Sequence, residues 1–299
     1  MNNFDLQIQS SASDGKYTPR ELVKRASVLG IGIVAITDHD TVGGVSEALS
    51  AGEDHGVEVI PAIELSANEA RWGVHILGFG IDHENLELLG ALAEAQLERA
   101  GRAKEMVKRL QQAGFQITYE DVLRYATGSS VGRPHIARAV LGNPENKKIL
   151  GEINDVGKFI RSFLVAGKPT YVERENMSVK EAIDLIHNSG GVAVWSHPAI
   201  NASDTIHLQA LLQKFIAYGL DGLEAFNPAH TEDQTRVLEK LARERGLLIT
   251  GGSDFHTDET PPSRPEGGTE LASFLTYGFD VSDIVPKLKE AIARRRKEM

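Results

Sequence analysis

IVAITDHD, residues 33–40, is a short apolar run followed at once by two aspartates around a histidine. LLITGGSDFH, residues 247–256, repeats this order near the other end of the chain. A continuous apolar run of roughly four to eight residues is typical of a strand buried on both faces. His and Asp are residue types that bind metals. The two stretches therefore predict a barrel whose chemistry lies at the carboxyl ends of its strands.

The same order recurs in four other places. Short, mostly apolar stretches at residues 4–6, 57–60, 72–74 and 192–195 lead to Asp14, Glu64, His75 and His197, respectively. None of these places is specific alone. Six strands that each deliver a His, Asp or Glu predict one shared site at the mouth of a barrel.

Helical patterns alternate with most of these strands, which favours a parallel sheet. The predicted strands cover residues 4–9, 33–37, 57–64, 73–79, 191–196, 221–226 and 247–251. We therefore predict an α/β fold, a distorted seven-stranded (β/α)7 barrel formed by residues 1–83 and 167–299. Residues 84–166 carry helical patterns and no good strand, and this predicts a helical insertion over the mouth of the barrel.

Composition narrows the class of protein. The chain has 299 residues, a formal net charge of -10 and no cysteine. The acidic balance argues against duplex nucleic acid as a partner, because such binding needs a basic face. No apolar run approaches the roughly 18 residues of a membrane span, and no signal peptide is evident. We expect a cytoplasmic enzyme without a membrane partner.

Carboxylates and imidazoles without thiolates suit divalent Mn, Fe, Zn or Mg. A carboxylate such as Glu64 can bridge two metals. Two metals about 3.5–4 Å apart can clamp the attacking and leaving oxygens of a phosphoryl centre. The ligand types therefore indicate metal-assisted chemistry on a phosphorylated substrate.

The chain resembles the PHP family (polymerase and histidinol phosphatase) of metal-dependent phosphoesterases. The resemblance is strongest to the branch that hydrolyses nucleoside 3′,5′-bisphosphates and trims short RNA 5′ ends. The matching segments, in family order, are residues 13–15, 37–40, Glu64, 74–78, 196–198 and 253–256. The resemblance implies a distorted seven-stranded barrel and three metal sites per chain. For this chain we expect two or three divalent ions, with Mn as the first expectation and Fe, Zn or Mg as alternatives.

The resemblance also assigns ligands. One metal would be held by Asp14, His39 and His256, and a second by Glu64, His75 and His197. A third would be held by Glu64, Asp254 and two histidines of the first strand. Catalysis is expected to rest on Asp14, His39, Glu64, His197 and Asp254.

The first motif departs from the family pattern Asp-Leu-His-x-His-Ser. This chain has Gln7 and Gln9 where the family has histidines. A glutamine oxygen is a weaker, neutral donor for these metals. The third metal is therefore expected to be weak or absent, and reduced activity stays open.

Candidate substrate contacts lie outside the ligand set. Arg133 and His135 match an Arg-x-His segment of the family branch, and an arginine can grip phosphate in bidentate fashion. Lys168 could contact phosphate or be an ordinary loop lysine. His230 could line the mouth or cap the next helix. Two roles stay open for Asp38 and Asp40. Each could orient the His39 ring through a hydrogen bond, or be an ordinary turn or helix-cap residue.

The expected function is hydrolysis of phosphate monoesters of a small nucleotide, such as a nucleoside 3′,5′-bisphosphate or a short oligonucleotide. Two alternatives remain open at this point. The chain could be a non-catalytic barrel that binds metal or a phosphorylated ligand, because Gln7 and Gln9 alter one site. It could also be a histidinol-phosphate phosphatase, although the helical insertion and the Arg133–His135 segment weigh against this.

Overall fold

The computed structural model describes residues 2–70, 72–126, 128, 130–173, 177–202, 204–258, 268 and 270–299. Within these residues, eight strands form two sheets. The first sheet has the order β1 (Phe4–Ile8), β2 (Ile33–Ile36), β3 (Glu58–Val59). The second has the order β4 (Ala62–Glu69), β5 (Trp72–Phe79), β6 (Val192–Trp195), β7 (Gly222–Phe226), β8 (Leu248–Gly251). The fold is thus α/β with a parallel sheet and a mixed sheet.

Two details of the predicted sheet are corrected. The predicted strand 57–64 is divided into β3 and β4, with Pro61 between them. Proline lacks the N–H that would continue the ladder, so β3 pairs with β2 and β4 pairs with β5. The sheet is also not wholly parallel. No helix separates β4 from β5, so they form a hairpin, and β5 runs antiparallel to both β4 and β6.

Isolated bridges join the two sheets at the mouth. His39 bridges Glu64, and Ile8 bridges Phe255. Gly252 makes the second approach possible, because a Cβ at this position would lie 2.4 Å from the backbone nitrogen of Gln7. The described strands do not form one continuous closed ladder, and the seven-stranded barrel is therefore not confirmed.

Helices cover the sheets and fill the segment between β5 and β6. They are α1 (Pro19–Val28), α2 (Val45–His55), α3 (Leu86–Gln112), α4 (Tyr119–Leu123), α5 (Arg133–Gly142), α6 (Lys147–Leu150), α7 (Val156–Phe163), α8 (Val179–Asn188), α9 (Pro198–Asn201), α10 (Thr205–Ala217), α11 (Glu232–Arg245) and α12 (Ile284–Glu298). Helix α8 begins with a capping box: the Ser178 side chain accepts from the backbone of Glu181, whose side chain accepts from Ser178. None of the described helices is long and apolar enough to cross a membrane.

The buried apolar side chains of the described residues form two clusters. The larger one lies between the sheets and the helices around them. The smaller one is built from α3 to α7 and includes Met106, Leu110 and Phe159. Helix α3 belongs to both, because Leu88 and Leu92 near its start lie in the larger cluster. The long helix therefore connects the strand framework to the helical segment.

Candidate metal centre

The predicted metal ligands meet at the mouth between the two sheets. Among the residues that the structure describes, two groups have ligand atoms that all lie within 4.8 Å of one another. Asp14, His39 and His256 form one, and His39, Glu64 and His75 form the other. His39 is common to both groups. A single imidazole shared by two ligand groups indicates a centre suited to two neighbouring ions.

The carboxylate of Glu64 lies at the middle of the second group and is fully buried. Its Oε1 is 2.8 Å from His75 Nδ1 and 3.4 Å from His197 Nε2. Its Oε2 is 3.5 Å from His39 Nδ1. On the other side of the centre, His256 Nε2 lies 3.4 Å from Asp14 Oδ1. Glu64 thus faces three imidazoles, each on a different element.

These residues fit a divalent ion. The Nδ1 atoms of His39 and His75 are buried and make no hydrogen bond within the described residues, although both face Glu64. An ion between imidazole and carboxylate would satisfy such atoms. Burial lowers the pKa of His75 to about 4, so its ring is neutral near pH 7. Burial alone would raise the pKa of Glu64, but His39 and His75 hold it well below its usual range. Neutral imidazole and ionised carboxylate are the ligand forms that metals need.

Three residues at strand ends adopt left-handed backbone conformations that side chains usually avoid. Asp40 has φ 50°, His197 has φ 30° and Asp254 has φ 48°. Such conformations cost on the order of 1–3 kcal/mol each and persist only where the surrounding structure holds them. Three such residues close to Glu64 and His39 are typical of a functional site.

Gln7 and Gln9 lie at the floor of the centre and are fully buried. Gln9 Nε2 donates to Glu64 Oε2 at 2.6 Å. In the orientation that satisfies its neighbours, the Gln7 nitrogen donates to Glu224 Oε1 at 2.7 Å and its oxygen accepts from Ser196 Oγ at 2.8 Å. Gln9 therefore presents nitrogen, rather than oxygen, to Glu64, and Gln7 presents nitrogen to Glu224 where that carboxylate is ionised.

Glu224 also belongs to this site, although no motif in the sequence predicted it. It is buried on β7 and accepts from the backbone nitrogen of His197 at 2.9 Å and from Asn227 Nδ2 at 3.0 Å. Burial, together with the charge of Glu64, raises the pKa of Glu224 well above its usual value. The available signal was a single carboxylate inside the apolar strand GLEAF, residues 222–226.

The two aspartates beside His39 have different partners. Asp38 accepts from the nitrogen and hydroxyl of Ser10 at 2.7 and 2.6 Å, and from Ser13 Oγ at 2.6 Å. Asp40 accepts from the backbone nitrogen of Ser66 at 2.7 Å and from Arg99 Nε at 2.6 Å. These bonds fix the loops on either side of His39.

Helix α5 carries two of the predicted substrate residues and contacts the loop that carries Asp14. His135 is buried, and its Nδ1 accepts from the nitrogen of Gly132 at 3.0 Å, so the ring proton is on Nε2. Burial lowers the pKa of His135 to about 4. Arg138 Nη2 lies 3.4 Å from the carbonyl oxygen of Asp14. Arg133 is exposed at the first turn of α5.

The other two predicted substrate residues are placed differently. Lys168 is exposed in the turn after α7, and its side chain makes no hydrogen bond to the ligand groups in the part of the chain that is described. His230 is buried, and its Nδ1 is 3.0 Å from the carbonyl oxygen of Ala225, to which it donates. His230 is thus held inside the protein by the end of β7.

Two arginines of α3 were also missed. Arg99 contacts Asp40, and Arg102 Nε donates to the carbonyl oxygen of Val172 at 2.8 Å. Burial and the positive charge of Arg133 lower the pKa of Arg102 to about 10. Charged residues are ordinary on a long helix, so no sequence signal separated these two from their neighbours.

Known proteins resemble the chain over most of its length. The PHP domain profile matches residues 5–188. A 5′-3′ exoribonuclease of Haemophilus influenzae is 34% identical over 85% of this chain and 89% of its own length. A 3′,5′-nucleoside bisphosphate phosphatase of Chromobacterium violaceum is 32% identical over 86% of this chain and 88% of its own. The structure of an amidohydrolase from Chromobacterium violaceum with bound sulfate and no metal superposes with a TM-score of 0.82 at 30% identity, covering 97% of both chains.

Proposed function

The chain belongs to the PHP domain family of metal-dependent phosphoesterases, and on this basis we propose that it hydrolyses phosphate monoesters of a small nucleotide. The substrate class is a nucleoside 3′,5′-bisphosphate or a short oligonucleotide. The observation that carries this proposal is the pair of ligand groups that share His39 beneath an arginine-bearing helical segment. The names of the two curated relatives, a bisphosphate phosphatase and an exoribonuclease, agree with this class.

The proposed cofactor is a pair of divalent ions, with Mn as the first candidate and Fe, Zn or Mg as alternatives. Asp14, His39 and His256 would hold one ion. Glu64 and His75, with His197 beside them, would hold the other. When bound, the ions supply positive charge that polarises the phosphoryl group and offsets the charge that develops in the transition state.

The chain's own residues set up this chemistry in three ways. The ionised Glu64 and neutral His75 are ready to bind cations without first losing a proton. Asp254, whose Oδ1 lies 3.7 Å from His256 Nδ1, borders the first group. The backbone carbonyl of Asp254 lies 2.7 Å from the same Nδ1, so the His256 ring donates there and leaves Nε2 for the ion.

Arginines supply the contacts for the anionic substrate. The positive charges of Arg102 and Arg133 repel each other. A phosphate bound between the two guanidinium groups would offset this repulsion. His135 adds a neutral donor, because its Nδ1 is occupied by Gly132 and its proton is on Nε2. Lys168 would add a charge at the periphery. The buried His230 would support the wall near His197 rather than touch substrate.

The proposed framework for this site is one distorted barrel formed by residues 1–83 and 167–299, with residues 84–166 as an insertion over its mouth. Support comes from the bridges between the two sheets and from the separate apolar cluster of the helical segment. The contact between Arg138 and the Asp14 loop is consistent with an insertion that covers the metal centre.

Phosphate release tests the proposal. Metal-stripped protein is supplied with Mn and offered a nucleoside 3′,5′-bisphosphate, the matching 5′-monophosphate and a short 5′-phosphorylated RNA. We expect release from at least one of these and loss of release in His256→Gln. His83→Gln is the matched control, because His83 lies outside both ligand groups and contacts Ser46 Oγ. Absence of release with Mn, Mg, Zn and Fe would contradict the proposal and favour a binding protein.

A further inference from the structure

Two amide side chains, those of Gln7 and Gln9, lie beneath the predicted metal ligands. Hydrogen bonds to neighbouring groups orient each amide. Gln7 lies on β1 and Gln9 directly follows its last residue, and the two side chains reach carboxylates of the same centre. Both are fully buried, and neither reaches solvent. Each amide has a carboxylate as its nearest acceptor: Glu224 for Gln7 and Glu64 for Gln9.

The bond between Gln9 and Glu64 fixes which end of the amide faces the carboxylate. An ionised carboxylate only accepts hydrogen bonds. At a separation of 2.6 Å from Glu64 Oε2, the facing atom of Gln9 must therefore be the nitrogen. The amide oxygen lies on the other side, 3.3 Å from Ser13 Oγ. Turning the amide to offer oxygen to a cation would place two acceptor oxygens in close contact.

Because of this bond, the two carboxylate oxygens of Glu64 have different partners. Oε2 is engaged by Gln9, while Oε1 faces His75 Nδ1 and His197 Nε2. The carboxylate cannot rotate without losing a buried, charge-assisted hydrogen bond. Gln9 thus determines the direction in which Glu64 presents Oε1.

We propose that Gln9 is a positioning residue for Glu64, and that Gln7 and Gln9 occupy with neutral donors the pocket that a further cation beneath this carboxylate would need. This inference rests on the proposed metal-dependent function. Outer partners that orient a metal ligand typically contribute 10–100-fold to metal affinity. The centre is accordingly assigned two ions, and Gln9 acts on one of them without touching it.

The decisive variant is Gln9→Met, which keeps an unbranched side chain of similar length and removes the donor. Gln111→Met is the matched control, because Gln111 Nε2 donates at 2.7 Å to the carbonyl oxygen of Ile117, away from the ligand groups. Mn binding to each metal-stripped protein is measured by equilibrium dialysis with elemental analysis, and circular dichroism verifies folding. We expect two ions in wild type and the control, and at least tenfold weaker binding of one ion in Gln9→Met.

A second measurement covers the case in which Gln9→Met does not fold. Anomalous diffraction from wild-type crystals soaked in Mn should show no ion in contact with Gln7 or Gln9. An ion bonded to either amide oxygen would overturn the inference. Affinities in Gln9→Met within threefold of wild type would overturn it as well. Wild-type protein that binds no Mn would overturn the proposed function too, so the two failures are distinguishable.

Discussion

Arg99 Nε donates to Asp40 Oδ2 at 2.6 Å, and Asp40 directly follows His39, the imidazole shared by both ligand groups. Arg99 also donates to Ser66 Oγ at 3.0 Å. Only 1% of the Asp40 side chain is exposed. Because Arg99 lies in the middle of α3, this ion pair fastens the helical segment to the loop that carries the shared ligand. The Arg99–Asp40 ion pair therefore connects helix α3 to the metal centre.

Replacing Arg99 with Met should destabilise the protein strongly. The change leaves the buried Asp40 carboxylate without its cation, and breaking one side of a buried pair costs about 3–5 kcal/mol. Urea unfolding of the metal-free protein measures the loss. Arg236→Met is the control, because its pair with Glu232 is about half exposed and should change stability by less than about 1 kcal/mol. Equal, small losses in the two variants would show that the Asp40 pair does not anchor α3.

Removing a ligand should remove one ion. We expect wild-type protein to bind two Mn ions per chain and His256→Ala to bind one, because Asp14 and His39 alone make an incomplete group. Each bound Mn ion, at 100 times the dissociation constant of its site, should stabilise the fold by about 2.7 kcal/mol. Dialysis and thermal unfolding with and without chelator provide the two measurements. The expectation fails if His256→Ala retains both ions with wild-type affinity.

Arg133→Ala should reduce kcat/KM for a bisphosphate more than for the matching monophosphate. A charge-assisted bond to phosphate contributes about 1.5–3 kcal/mol, or roughly 10–100-fold, whereas an exposed arginine adds little to the core. Steady-state kinetics on both substrates measure the difference. Arg124→Ala is the control, since Arg124 is 74% exposed in the same helical segment and pairs with Asp121. A similar effect of both variants on both substrates would remove Arg133 from the site.

His230 should make stability fall at mildly acidic pH. Burial lowers its pKa from an ordinary 6.5 to about 4. Between these values the unfolded chain binds a proton that the folded chain does not, so stability is lost as pH falls through this window. At pH 5 the loss from this residue is roughly 2 kcal/mol relative to pH 7.5.

Urea unfolding of metal-stripped wild type and His230→Gln at pH 7.5 and pH 5 isolates this contribution. His75 and His135 titrate in the same direction, but they are present in both proteins and cancel in the difference. We expect a smaller loss between the two pH values in the variant. An identical loss would mean that His230 is not buried in its neutral form.

Much of the framework was predictable because its signals are local. Buried strands are continuous apolar runs, so β1, β2 and β6 to β8 lie within a few residues of their predicted bounds. Helical periodicity predicted the helical segment between β5 and β6. The direction of β5 was predicted wrongly as parallel, because apolar periodicity does not report on which neighbour a strand pairs with.

The sequence by itself determined which side chains can bind metal and that they follow buried strands, since both depend on residue type and short-range order. Only the tertiary structure decided that Gln9 turns its nitrogen to Glu64 and that Arg99 reaches Asp40. These contacts join residues 55 and 59 positions apart in the chain. The direction of an amide and the partner of an arginine follow from which buried acceptor lies within reach, and that is settled when the sheets and α3 pack together.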